Sequence, residues 1–163
     1  MLDLEFRATV SYHIRKFLLH PPFWIEPANL ISIPLKWKRV RFTEKNKGSV
    51  PQNKGIYCFV LNPKYKYFFE TRYLFYVGKT NRTLRERYSE YLDEQAGVGK
   101  PRLKIEEMLN LYKDYVYFYY ATIDNKTDVD VCEKKVLNTF VPPVNSLIPN
   151  ARIKRELRNI YEI

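Results

Sequence analysis

The chain has 163 residues, of which 45% are hydrophobic and 16% aromatic, and 28 Lys/Arg against 18 Asp/Glu give it a net charge of +10. That length suits one domain with a full core, and the composition excludes a disordered chain. The start, MLDLEFRATV, has acids where a secretory leader needs bases, and no apolar run is long enough to span a bilayer, so a soluble cytoplasmic or nucleoid-associated protein without membrane partners is expected.

In chain order, Leu2, Phe6, Val10, Ile14 and Leu18 repeat every four residues and predict an amphipathic helix over about 3–19, stopped by His20-Pro21-Pro22. IPLKWKRVRF (33–42) reads as a strand or extended arm, with Lys36, Lys38, Arg39 and Arg41 around Trp37. The polar stretch 43–54 is a connector. GIYCFVL (55–61) and YLFYVG (73–78) predict a pair of hairpin strands. Between them NPKYKYFFETR forms a long basic and aromatic excursion that includes Lys64 and Lys66.

Thr83 and Glu86 have capping-box spacing, so a helix is predicted from Leu84 to about Leu92. Its apolar stripe is Leu84, Tyr88, Tyr91 and Leu92, and Arg87 lies along that stripe while Arg82 and Arg85 point elsewhere. A second helix is expected after Pro101, with Ile105, Met108, Leu109 and Tyr112 inward. YVYFYYATI (115–123) predicts a third strand, and residues 128–140 a helix ended by Pro142-Pro143. A final helix is expected from Asn150, with Ile153, Leu157, Ile160 and Tyr161 on its inward face. Cys58 and Cys132 read as buried free thiols of a reducing compartment. The expected fold is α/β (α+β), a small three-stranded antiparallel sheet flanked by helices, in three segments: an N-terminal helix and basic arm (1–54), a core (55–149) and a C-terminal helix packed on it (150–163).

Charge is uneven along the chain. Residues 1–54 carry ten bases against four acids, and the tail from 151 carries Arg152, Lys154, Arg155 and Arg158 against two acids. Basic flanks around a balanced centre point to a polyanion such as nucleic acid, with solubility as the plainer alternative. The residues expected to hold it are Lys36, Lys38, Arg39, Arg41, Lys64, Lys66, Arg155 and Arg158.

Gly55-Ile56-Tyr57 on one strand and Tyr76-Val77-Gly78 on the next resemble the paired signature of the GIY-YIG nuclease superfamily. Arg87 on the following helix, Glu133 in VCEKKVLNTF and Asn145 in VPPVN stand in the family's order. Lys79 and Tyr91 are similar to the version found in excision-repair nuclease modules. The resemblance covers roughly residues 55–147. It implies a metal-dependent endonuclease that hydrolyses DNA, restriction-like or repair-like, acting as monomer or homodimer on duplex substrate. It also implies one Mg²⁺ (or Mn²⁺) per site, held by Glu133.

The catalytic set carried over by the resemblance is Tyr57, Tyr76, Lys79, Arg87, Tyr91, Glu133 and Asn145. A guanidinium on an inward stripe suits the developing charge of a phosphodiester under attack, whereas most helical arginines are solvated beside an acid such as Glu90 or Glu94. The resemblance implies that one tyrosine deprotonates water. Tyr57 is assigned that role with Tyr76 as its partner, or the reverse. A phenol needs its pKa lowered by about two units to act near neutrality, which Lys79 and a metal-bound water are expected to supply. Glu133 is either a metal ligand or, three residues after Asp130, part of a capping box. Asn145 bonds either the loop after the prolines or a group in the pocket. The alternative to the enzyme is a non-catalytic nucleic-acid-binding module on the same fold.

Overall fold

A computed structural model describes residues 4–146 and 148. The last predicted helix, with Arg155 and Arg158, lies outside them. The N-terminal helix α1 spans Leu4–Tyr12, shorter than its apolar repeat suggests. The periodicity beyond it is overridden by tertiary contacts: His13 packs edge-on against Tyr112, and Phe17 edge-on against Phe75 and tilted against Tyr73. Arg15 Nη1 donates to the carbonyls of Tyr12 and Ile14, capping the broken end. Pro21-Pro22 does not merely stop a helix. It starts a short one, α2 (Pro21–Ile25), because proline lacks only a donor that a first turn leaves unused.

The sheet has four strands and not the expected three. They are β1 (Lys38–Arg41), β2 (Gly55–Leu61), β3 (Tyr73–Thr80) and β4 (Val116–Thr122), in spatial order β1-β4-β2-β3 and antiparallel throughout. The basic arm is the added strand, with Val40 opposite Phe118. Two helices follow β3, α3 (Leu84–Gln95) and α4 (Leu103–Leu111), and α5 (Lys126–Phe140) follows β4.

Strand alternation divides the core in two. Tyr57, Phe59 and Phe118 face α3 and α4, where Tyr88, Tyr91, Met108 and Leu109 close over them. Ile56, Cys58, Val77 and Ala121 face the other way, onto Val129, Cys132 and Val136 of α5. Strand β2, paired on both sides, is buried along its whole length, which is why GIYCFVL reads as an unbroken apolar run. Both cysteines are buried and unbridged.

The capping box forms: Thr83 Oγ1 accepts from the Glu86 amide at 3.0 Å, and Glu86 accepts from the Thr83 amide at 3.0 Å. Of the two arginines that point away from the stripe, Arg85 donates to the carbonyls of Val50 and Gly48, tying the connector to α3. Tyr88 Oη donates to Thr43 O and accepts from the Thr43 amide, fixing the end of β1 over the core. Among the described residues no helix is long and apolar enough to cross a membrane.

Candidate functional site

Two glycines set the geometry. A Cβ on Gly55 would stand 2.1 Å from the Ala121 carbonyl oxygen, so β2 and β4 approach too closely there for any other residue. A Cβ on Gly78 would stand 2.4 Å from Tyr57 Cζ and Oη. Tyr57 and Gly78 are cross-strand partners, and the phenol lies over the space the glycine leaves empty.

That placement sends the Tyr57 hydroxyl to α3. Arg87 Nε donates to it at 3.0 Å, and it bonds Tyr91 Oη at 2.9 Å. The Arg87 guanidinium also lies over the Tyr91 ring, 4.9 Å from its centroid. Its other end pairs with Glu90, which also binds Arg82. Arg87 therefore does both things weighed for it: it turns inward onto the tyrosines and it keeps an acidic partner at the surface. Tyr76 packs beside Tyr91 and Tyr57, and Arg102 Nη1 donates to its hydroxyl at 3.5 Å. Arg102, the N-cap residue of α4, is held by Glu94 at 2.7 Å and also lies over the Tyr91 ring, 5.4 Å from its centroid. Two guanidinium groups thus converge on one buried phenol.

Burial pushes the Tyr57 hydroxyl well above the ordinary phenol range, with neighbouring Tyr76 adding to the rise and Arg87 opposing it. Tyr76 is pushed up as well, by burial and by Tyr91, against Arg102. Tyr57 is 1% exposed, so its hydroxyl reaches no solvent. Tyr76 is only partly buried.

Lys79 lies on the other face of β3. Its cross-strand partner is Ile56, on the α5 side. There its ammonium bonds Asp130 Oδ1 at 2.9 Å and Glu133 Oε2 at 3.3 Å. Asn125 caps α5 through the Thr127 amide, which leaves Asp130 and Glu133 free of capping duty. Glu133 is raised above the usual carboxyl range by burial, with Lys79 pulling it back. The ammonium expected beside the tyrosines thus neutralises carboxylates across the sheet. Among the described residues no hydrogen bond or ion pair joins the Arg87–Tyr57–Tyr91 group to the Lys79–Glu133 group.

Asn145 chooses the backbone. Its Oδ1 accepts from the Val77 amide at 2.9 Å and its Nδ2 donates to the Val77 carbonyl at 2.8 Å, so a side-chain amide takes the place of a strand residue along the edge of β3. Val144 adds a bond to the Phe75 carbonyl. Beyond Val77 the edge carries Gly78 and Lys79, with the arginine group on one face and the carboxylates on the other.

Asp130 Oδ1 and Glu133 Oε2 converge on a single point, one helical turn apart. Among the described residues no group of three or more His, Cys, Asp or Glu stands together to hold a metal; a hard ion such as Mg²⁺ would have these two carboxylates and otherwise water and phosphate oxygens, and both carboxylates are taken up by the Lys79 ammonium. Asp130 is expected from the sequence only as a cap, and Arg102 is not among the expected site residues. The first was legible from the i, i+3 spacing, whereas the second, across a loop, had no local signal.

Among the nucleic-acid candidates, Arg39 donates to Tyr119 Oη at 3.0 Å and pairs with Glu70 at 3.8 Å, and Arg41 pairs with Asp114 at 3.5 Å. Lys36, Lys38, Lys64 and Lys66 are exposed. Comparison of the chain with protein-family models, with curated proteins and with solved structures gives no match.

Proposed function

We propose that the protein is a metal-dependent endonuclease of GIY-YIG type that hydrolyses phosphodiester bonds in DNA. The observation that carries this reading is the Arg87 guanidinium, held by a buried tyrosine hydroxyl on the face of β3 opposite two convergent carboxylates. A phosphodiester crossing the edge of β3 at Gly78 and Lys79 would meet a cation from one face and the carboxylate pair from the other. Arg87 then stabilises charge developing on the phosphate, and Tyr57 and Tyr91 hold it at that angle. Arg102 supplies a second guanidinium to the same side.

Asp130 and Glu133 would hold the Mg²⁺, whose chemistry is to polarise the phosphoryl oxygen and acidify a water. Lys79 releases the carboxylates and turns to the phosphate. Tyr57 is sealed and both of its bonds are used, which favours it as the residue that positions Arg87. Tyr76 is the partly exposed one of the two phenols and lies beside a guanidinium; because burial holds its hydroxyl protonated, it would take the proton of the attacking water only after losing its own, which Arg102 and the charge of a bound metal ion would favour.

The second reading is a nucleic-acid-binding module without catalysis. The closed Lys79–Asp130–Glu133 cluster favours it, because an ammonium already satisfies the carboxylates. Incubation of supercoiled plasmid with the protein and MgCl₂ separates the two. Nicking or linearisation that is abolished by EDTA, by Arg87→Ala and by Glu133→Ala is expected of the enzyme. DNA binding without cleavage by the wild-type protein would establish the module instead.

A further inference from the structure

At the end of β2 remote from Tyr57, the 62–72 excursion folds back over β4 and leaves a recess of about 280 Å³. This is at the small end of clefts that hold ligands (roughly 300–1,000 Å³). Its walls are aromatic and basic: Tyr117 on the sheet, Phe68 and Phe69 on the excursion, with Arg39 and Lys64 at the rim. Phe68 and Phe69 are stacked, centroids 4.1 Å apart, yet they are 57% and 74% exposed. Arg39 spreads over Tyr117 and Tyr119 at 5.8 and 5.9 Å. Flat rings kept in water beside a guanidinium are costly to maintain as a surface and suited to a planar partner.

A second observation is independent of the rings. Asn62 lines the recess and is 9% exposed; its Nδ2 donates to Tyr119 Oη at 3.1 Å, while its Oδ1 has no hydrogen-bond partner. It is the one such buried side-chain atom among the described residues. That oxygen has no exposed surface, so it is an unfavourable spot within the wall and not itself a contact open to the recess. Charge decides the kind of partner. Arg39 and Lys64 line the recess against a single acid, Glu70, which is bound by Arg39 and by the neighbouring Arg72, so positive charge is in excess.

We infer that this recess takes one unpaired nucleobase of the bound nucleic acid, stacked on the Phe68–Phe69 wall with its flanking phosphates on Arg39 and Lys64. The base's amino or ring N–H edge turns toward the exposed Glu70 carboxylate. This rests on the nucleic-acid-binding part of the reading above and not on hydrolysis. The basic edge strand and the aromatic excursion, separate in sequence, are then one recognition surface.

The test is fluorescence anisotropy in EDTA with three labelled duplexes: fully paired, carrying a single-base bulge, and carrying an abasic residue at the bulge. The wild-type protein is expected to bind the bulged base about tenfold more tightly than the abasic bulge, the order that stacking one base on aromatic side chains supplies. In Phe68→Ala/Phe69→Ala, whose side chains are exposed, circular dichroism should be unchanged and the preference should vanish. Affinity for the abasic duplex should stay as in wild type. Equal affinity for base and abasic bulges, failure to bind any of the duplexes, or a preference that survives in the double variant overturns the inference. A protein that shows this preference but leaves plasmid intact in Mg²⁺ refutes the nuclease reading alone.

Discussion

Substituting Gly78 by alanine tests whether Tyr57 is held where the site needs it. The added Cβ would lie 2.4 Å from Tyr57 Cζ and Oη and 2.7 Å from Cε2, so the ring must retreat by about 1 Å to reach ordinary van der Waals contact. It has little room to retreat. Phe118 stacks against it at 5.2 Å, and its hydroxyl is bonded to Arg87 and Tyr91. Overpacking of this kind costs about 1–3 kcal/mol, and weakening one bond to a charged group adds about 1 kcal/mol. A total near 2–4 kcal/mol should lower the urea midpoint by about 1–2 M at a slope of about 2 kcal/mol/M. Gly48→Ala is the control, because a Cβ there meets nothing within 4 Å and should change stability by less than about 0.5 kcal/mol. In a Tyr57→Leu background, which removes the obstructing ring, Gly78→Ala should cost less than half as much, a coupling that a double-mutant cycle measures. A Gly78→Ala midpoint within 0.2 M of wild type, or strict additivity with Tyr57→Leu, would refute the argument.

Three further outcomes follow from the same geometry. Tyr76→Phe should slow cleavage by about 10²–10⁴-fold if Tyr76 is the base. Tyr57→Phe should lose less and recover part of its rate with tighter-binding substrates, and single-turnover rates for the two variants decide the assignment. Burial raises the Glu133 carboxyl, so folding favours its protonated form: that contribution is complete at pH below the unfolded carboxyl value and is lost as pH rises through the folded one. Glu133→Gln should therefore gain stability relative to wild type as pH climbs from the carboxyl range toward neutrality, measured by urea midpoints across pH. An advantage that shrinks with rising pH would contradict the burial argument. Replacing Lys36, Lys38, Arg39 and Arg41 by glutamine should flatten the salt dependence of DNA affinity by a log–log slope of about 3.6 if all four contact phosphates. Since Arg39 and Arg41 already have acidic partners, Lys36 and Lys38 alone should account for at least half of that change.

What the sequence determined by itself is local. The span of β2 and the starts of α3 and β3 follow from an apolar run, a capping box and a hairpin pattern, because each is a signal contained within one element. The inward turn of Arg87 was legible for the same reason, as a phase along one helix. Tertiary structure decided what depends on partners remote in the chain. β1 joins the sheet because β4 offers it an unpaired edge, and α1 stops at Tyr12 because Phe17 finds Phe75 before its own helix can continue. Lys79 follows Gly78 directly in sequence, but strand alternation turns adjacent side chains to opposite faces. One residue therefore makes room for the tyrosine that holds Arg87, and the next reaches Asp130 and Glu133 on the far side of the sheet.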